Sequence, residues 1–366
     1  MRDDSTLSIA TLPGDGIGPE VIAPAIELLN AAVGGSATLD FQMVAAGANH
    51  YAAHGDAIPE ESLAAAKAAD AILLGAMGMP DIRYPDGTEI SPQLELRERL
   101  GLYAGVRPIR TVPGVATPLA DDRARRLDIV LVRESTEGLF KSRNHCELVD
   151  DAIARDTLEI TRATSERLFD FSFELARSRK AQGKEGRVTC VDKANVLGSF
   201  AFFRKIFDER AQRYPDIVAD HCYVDALALR LVKQPWEFDV LVTENMFGDI
   251  LSDLGAGLMG GMGMAPSADI GDANAVFQPC HGSAPDIAGS GMANPVATFL
   301  SGAMMLDWIA RERSLSACRS AASKIRVAID QAFADGKLLP YELGGSDGTE
   351  AIADAVMTKL DGVAED

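Results

Sequence analysis

Short apolar runs of strand length alternate with helical stretches along most of this chain, and this alternation constrains the fold more than any other feature. Residues 6–11 read as a strand, 12–18 as a glycine-rich turn, and 19–33 as a helix that Pro19 opens and Gly34-Gly35 closes. A second strand is expected at 39–44. An alanine-rich helix at 60–69 then feeds a buried strand at 71–74. The pattern returns at 128–132, 187–191, 217–224 and 239–242, with mostly helical segments between, including an amphipathic helix expected over 156–181. Residues 140–152 follow neither period and suit a hairpin or arm. Residues 255–291, rich in Gly, Met, Pro and Ala, read as loops lining a site, and two or three helices finish the chain. The pattern is that of an α/β protein with a largely parallel sheet.

At 366 residues the chain exceeds what one core usually organises, so two domains or one large α/β unit are expected. Apolar residues make up 47% and charged residues 24%, which rules out wholesale disorder. A formal charge of −19 argues against nucleic acid or an anionic membrane as partner. A small anionic substrate stays open, provided a local basic cluster overrides the global sign. Cysteines 146, 190, 222, 280 and 318 are scattered without a CxxC pair, as for reduced thiols in the cytoplasm. Residues 1–6 are charged and precede no apolar stretch of leader type, and no run approaches the roughly 20 residues that span a bilayer.

In Phe247-Gly248-Asp249-Ile250-Leu251-Ser252-Asp253, two aspartates stand four apart in a helical context and so share one face. They suit either a solvated helix surface or a hard cation such as Mg²⁺ or Mn²⁺, which wants several oxygens. Asp225, opening the preceding helix, is a plausible third ligand. Arg97 on a helix at 91–100, Arg107 beside Pro108 at a strand end, and Arg133 ending the 128–132 strand form the basic cluster. Their planar forks grip carboxylates, and strand ends in α/β sheets are where ligands sit. Lys193, in Asp192-Lys193-Ala194-Asn195 after an apolar strand, is an ordinary solvated lysine or, if partly withdrawn from water, a general base. Pro13-Gly14-Asp15-Gly16-Ile17-Gly18-Pro19-Glu20 allows close approach to a helix N-terminus, but its glycine spacing is not GxGxxG. The loop His281-Gly282-Ser283-Ala284-Pro285-Asp286-Ile287-Ala288-Gly289, with Asn294 beyond, carries a carboxylate that could accept bonds from an adenosine ribose. It could equally be a Pro/Gly turn.

PGDGIGPE at 13–20, LRERLGLYAGVRP at 96–108, VDKANVL at 191–197, FGDILSD at 247–253 and HGSAPDIAG at 281–289 together resemble the β-decarboxylating dehydrogenase family over nearly the whole chain. That family includes the 3-isopropylmalate, isocitrate, homoisocitrate and tartrate enzymes, and the isopropylmalate branch is the most similar. The resemblance implies a two-domain isopropylmalate-dehydrogenase-like α/β fold with parallel and mixed sheets flanked by helices, not a Rossmann GxGxxG fold. Residues 1–104 plus 262–366 would bind cofactor. Residues 105–261 would hold substrate and metal and form the dimer, with an arm near 140–152. It further implies that Arg97, Arg107 and Arg133 hold the malate carboxylates. Asp249 and Asp253 would bind the metal. Asp225 and Lys193 would come from the other subunit of a homodimer with shared active sites, Lys193 helping to take the C2 hydroxyl proton. His281, Gly282, Ser283, Ala284, Asp286, Ile287 and Asn294 would line the cofactor site. Because NADP-using relatives tend to carry Lys-Tyr where Asp286-Ile287 stand, the implied cofactor is NAD, with Mg²⁺ or Mn²⁺. The implied reaction is oxidative decarboxylation of a 3-substituted (R)-malate, foremost 3-isopropylmalate to 2-oxo-4-methylpentanoate and CO₂.

Two positions depart from the family pattern. A tyrosine usual seven residues after the third arginine, where it protonates the enolate, is here Phe140, which has no proton to give. Before the first arginine, isopropylmalate enzymes place leucines three and four residues back. Here those positions are Leu94 and Gln93, with Ser91 six back as in isocitrate enzymes. Isocitrate, homoisocitrate, tartrate or another alkylmalate therefore stay open as substrates. Phe140 by itself would fit a non-catalytic regulatory subunit, against which the intact arginines, aspartates and lysine weigh. A metal-dependent phosphoryl-transfer enzyme lacks its GxxxxGK[ST] loop.

Overall fold

The computed structural model describes residues 6–363, so the residues read as lacking a leader lie almost wholly outside it. In chain order, β1 (Thr6–Gly14), α1 (Gly18–Val33), β2 (Thr38–Met43), α2 (Ala48–His54), α3 (Glu60–Ala68) and β3 (Ala71–Ala76) form the first units. Next come α4 (Pro92–Arg99), β4 (Ala104–Arg110) and β5 (Asp128–Glu134), then the short β6 (Glu147–Val149) and β7 (Ile153–Arg155). The centre continues with α5 (Arg162–Ala181), β8 (Arg187–Asp192), α6 (Gly198–Ala211), β9 (Val218–Tyr223), α7 (Val224–Lys233), β10 (Val240–Thr243) and α8 (Asn245–Met259). The chain closes with β11 (Pro266–Ile270), β12 (Ala275–Pro279), α9 (Val296–Glu312), α10 (Ser316–Phe333) and α11 (Thr349–Leu360).

Ten strands make one sheet in the order β2-β1-β3-β12-β11-β4-β5-β10-β8-β9. Both flanks are parallel, as helical crossovers require, while β12-β11-β4-β5 run antiparallel through the middle. The flank β2-β1-β3-β12-β11 comes from the two chain ends and the flank β4-β5-β10-β8-β9 from the centre. The antiparallel register sets Arg133 opposite Gly105 and Gly105 opposite Asp269, one row across three strands. Stacked and edge-on rings of Phe169, Phe173, Phe203, Phe207 and Tyr214 pack α5 and α6 beside the central half. β6 and β7 pair as an exposed hairpin, the form expected of residues 140–152 though displaced toward residue 155.

Three sequence expectations need correction. The helix expected over 156–181 begins at Arg162, because Thr161 caps it by accepting from the Thr164 N–H. Leu158 and Ile160 precede that cap, in a stretch where Gly138 and Glu159 bridge. Residues 255–291 are not all loop: Gly255 ends inside α8, and β11 and β12 are wholly buried strands at the sheet centre. Their small residues give little hydrophobic period, but they let α9 lie close across them. Arg107 lies in the middle of β4 rather than at its end. β11 pairs only with Ala104–Val106, so beyond that point one side of β4 has no ladder and accepts Pro108. Among the described residues no helix is long and apolar enough to cross a membrane, and all five cysteines are free thiols.

Candidate active site

α4, β4, β5, α8 and the end of β12 surround a pocket of about 340 Å³. Its walls carry Arg97, Arg107 and Arg133, the pair Asp249 and Asp253, Phe140, Ser91 just before α4, Gln93 and Leu94 on α4, and His281 and Gly282. The three arginines are almost fully buried. Arg97 donates through Nε to Asp269 Oδ2 at 3.0 Å, and Arg107 through Nη2 to Asp269 Oδ1 at 3.1 Å and Nη1 to the Ala268 carbonyl at 3.0 Å. Arg133 donates from Nε and Nη2 to Asn245 Oδ1 at 2.9 and 2.7 Å, and its Nη1 meets Asp249. Its guanidinium lies 5.1 Å from the Phe140 ring centre.

The electrostatics favour anions. Burial, then the like charge of Arg97, pulls the Arg133 guanidinium down to about 10. Burial alone would raise Asp269, but Arg97 and Arg107 hold its carboxyl at about 2. A bound carboxylate would relieve the crowding of three cations.

Asp249 and Asp253 project from α8 into the same pocket, as their spacing of four requires. Burial, and then the neighbouring Asp249, raises the Asp253 carboxyl. These oxygens fit a hard divalent ion. Asp225 does not join them: among the described residues no group of three His, Cys, Asp or Glu side chains is placed to hold a metal. It pairs instead with Lys193 just beyond the C-terminal ends of β8 and β9, at the outer flank of the sheet, and neither residue lines the pocket. The third-ligand role within one chain, open from sequence, is thereby excluded. Val196 and Leu197, between Lys193 and α6, are exposed, as are Leu229 and Val232 on α7 and Ile250 on α8.

In the 281–294 loop, burial lowers the His281 imidazole. Its Nδ1 lies 3.0 Å from the Gly282 carbonyl and its buried Nε2 has no partner. Asp286 is exposed. Asn294 bonds Glu342 and the Val296 N–H, and Ser283 bonds the Gly78 carbonyl. Neither these nor Ala284, Asp286 and Ile287 reach the pocket described above. The glycine-rich turn at 13–18 supports this loop: Ile17 N–H donates to the Ser283 carbonyl at 2.8 Å. A side chain on Gly16, at φ 55°, would begin 2.0 Å from that carbonyl oxygen. Asp269, Asn245 and Gln278 were not apparent as site residues from sequence, since nothing local marks them.

A model of the isocitrate/isopropylmalate dehydrogenase family matches residues 8–356. A 3-isopropylmalate/3-methylmalate dehydrogenase of Methanocaldococcus jannaschii is 41% identical over 353 residues, 96% of this chain and 98% of that one. A 3-isopropylmalate dehydrogenase of Anaeromyxobacter dehalogenans is 43% identical over 361 residues, 96% and 99% of the two. Among solved structures, isocitrate dehydrogenase from Methylococcus capsulatus superposes with a TM-score of 0.84 at 36% identity, covering 97% of this chain and 99% of that one. A β-decarboxylating dehydrogenase from Thermococcus kodakarensis gives 0.79 at 37% identity, with 97% and 96% covered. By sequence, by fold and by the arginine and aspartate pocket, this chain belongs to the isocitrate/isopropylmalate dehydrogenase family of decarboxylating dehydrogenases.

Proposed function

We propose that the protein oxidises and decarboxylates a 3-substituted (R)-malate, 3-isopropylmalate first, with NAD and Mg²⁺ or Mn²⁺. The convergence of three buried arginines and two aspartates on one pocket carries this reading. Arg97, Arg107 and Arg133 take the two carboxylates through paired, charge-assisted bonds and fix C2 and C3 in place. Asp249 and Asp253, joined by Asp225 from the other subunit, would hold the divalent ion, which when bound supplies Lewis acidity toward the C2 oxygen. Lys193, kept near Asp225, takes the C2 hydroxyl proton. The unpartnered His281 Nε2 and exposed Asp286 suit a cofactor, and a carboxylate at 286 accepts ribose hydroxyls while repelling a 2′-phosphate. Equal activity with NADP would defeat that cofactor choice.

Lys193 and Asp225 stand apart from the pocket of their own chain within an exposed apolar surface, which supports a homodimer whose subunits complete each other's sites. The division into a domain of both chain ends, 1–104 and 262–366, and a central domain, 105–261, follows the two halves of the sheet order. We place the enzyme in the cytoplasm, with its five free thiols. The family leaves a phosphoryl-transfer reading without support, and the gathered arginines and aspartates favour catalysis over a regulatory subunit.

A second reading of the substrate rests on α4. Gln93 Oε1 is buried without a partner beside Leu94, and Ser91 reaches only the Glu89 carbonyl at 3.5 Å. That half-polar wall suits isocitrate, homoisocitrate, tartrate or another alkylmalate, since burying it against isopropyl leaves polar atoms unpaired. NADH formation with Mg²⁺ or Mn²⁺ across these acids and malate separates the readings. A clear preference for isopropylmalate supports the first, preference for a polar γ-substituent supports the second, and no turnover with any overturns both.

A further inference from the structure

We propose that Asp269 is a positioning residue of the substrate site that also sets its charge preference, holding Arg97 and Arg107 as one unit tuned to a dianion. The inference rests on the reading of the arginine pocket as a carboxylate grip. Asp269 is completely buried at the centre of the sheet. Its two oxygens accept from Arg97 Nε, Arg107 Nη2 and Gln278 Nε2, the last at 2.8 Å, and Ser135 Oγ lies 3.5 Å away. Among the described residues Arg97 makes no other side-chain bond, so both of its terminal nitrogens stay free for a ligand.

The register creates this arrangement. Gly105 sits opposite Asp269 and opposite Arg133, and a side chain on it would begin 2.5 Å from Ser135 Oγ and 3.1 Å from Asp269 Oδ1. That gap leaves room for the Asp269 carboxylate, which meets guanidinia from α4 and β4 together. A buried ion cluster is no efficient way to stabilise a core, because apolar residues of equal volume do so without stripping charges of water. Its place beneath a ligand pocket therefore points to binding. With a divalent ion offsetting Asp249 and Asp253, three guanidinia less the Asp269 carboxylate leave a charge of two, which matches the two carboxylates of a malate. Without Asp269 the excess is three, and Arg97 loses the partner that fixes its fork.

The test is competitive inhibition of the complete enzyme, with NAD and Mg²⁺ present, by acetate, succinate and tricarballylate, which carry one, two and three carboxylates. The wild type is expected to favour succinate. D269N should raise the substrate KM about tenfold and shift the inhibition ratio about tenfold toward tricarballylate, while the KM for NAD stays within about twofold. A merely structural role would lower stability or kcat without moving that ratio. Should D269N not fold, Q278E decides: it adds a carboxylate to the same cluster and should shift the ratio the other way. An unchanged ratio in the folded variants overturns the role of Asp269 alone. Failure of all three acids to inhibit the wild type overturns the carboxylate grip itself, and this inference with it.

Discussion

At the scale of single residues, two side chains in and beside the pocket carry distinct expectations. Phe140 lies against the Arg133 guanidinium but offers no proton, so protonation after loss of CO₂ falls to water or another group. Phe140→Tyr should leave kcat equal to or above the wild type, and a severe loss would mean that the site is built around the bare ring. Glu134, next to Arg133 in β5, is buried. Desolvation raises its carboxyl to about 7 against three hydrogen bonds from Thr136 and Glu137 that favour the charge. Between its ordinary 4.5 and about 7 the native state holds a proton that the unfolded chain has released. This contribution to stability is full below the lower value and is lost as pH rises through the window, by about 3 kcal/mol in all. Urea titrations of wild type and Glu134→Gln at several pH values should differ by an amount that changes across that window. A constant difference would remove Glu134 as the cause.

At the scale of elements, the start of α1 acts as a clamp on the proposed cofactor loop. Glu20, in its first turn, accepts from the Gly289 N–H at 3.1 Å, the Ala293 N–H at 3.0 Å and the Thr349 hydroxyl. Asp15 accepts from the Ala48, Asn49 and Gly78 N–H groups at 2.7, 2.9 and 2.9 Å, tying α2 and the end of β3 to the same turn. The PGDGIGPE segment thus serves the site through protein contacts. Glu20→Ala should raise the KM for NAD by about three- to tenfold, the worth of one or two lost bonds, and leave the KM of the hydroxy acid nearly unchanged. Steady-state kinetics with each varied in turn checks this, and equal change in both would show general loosening instead.

At the scale of the whole molecule, the proposed dimer with shared sites would make catalysis a property of two chains, since Lys193 and Asp225 lie apart from the pocket of their own chain. Lys193→Met and Arg107→Met subunits should each be inactive alone. Co-refolded in equal amounts, half of the dimers are mixed, and each carries one intact site, so roughly a quarter of wild-type activity should return. No recovery in a mixture shown to contain mixed dimers would place Lys193 and Arg107 in the same subunit's site.

Much of this organisation was legible in the order of residues. The strands and helices of the parallel flanks follow from local apolar period and from Pro and Gly punctuation. The sharing of one helix face by Asp249 and Asp253 needs only their spacing. The arginines could be proposed as a carboxylate grip from their chemistry, and the structure gathers all three on one pocket, while Lys193 as a base stays a proposal. The rest depended on long-range pairing. β11 and β12 carry small residues whose strand state comes from burial between neighbours, so they read as loops. Asp269 is one acidic residue in Ser-Ala-Asp-Ile-Gly until antiparallel register sets it against Gly105 and beneath two arginines more than a hundred and fifty residues away. The sequence names Asp225 by type but not by place, and within one chain it lies beside Lys193 and away from Asp249 and Asp253. Local propensity acts over a few residues and is written in the chain itself. The register of a ten-stranded sheet, and with it the meeting of charges in the pocket, is settled only when distant segments bury one another.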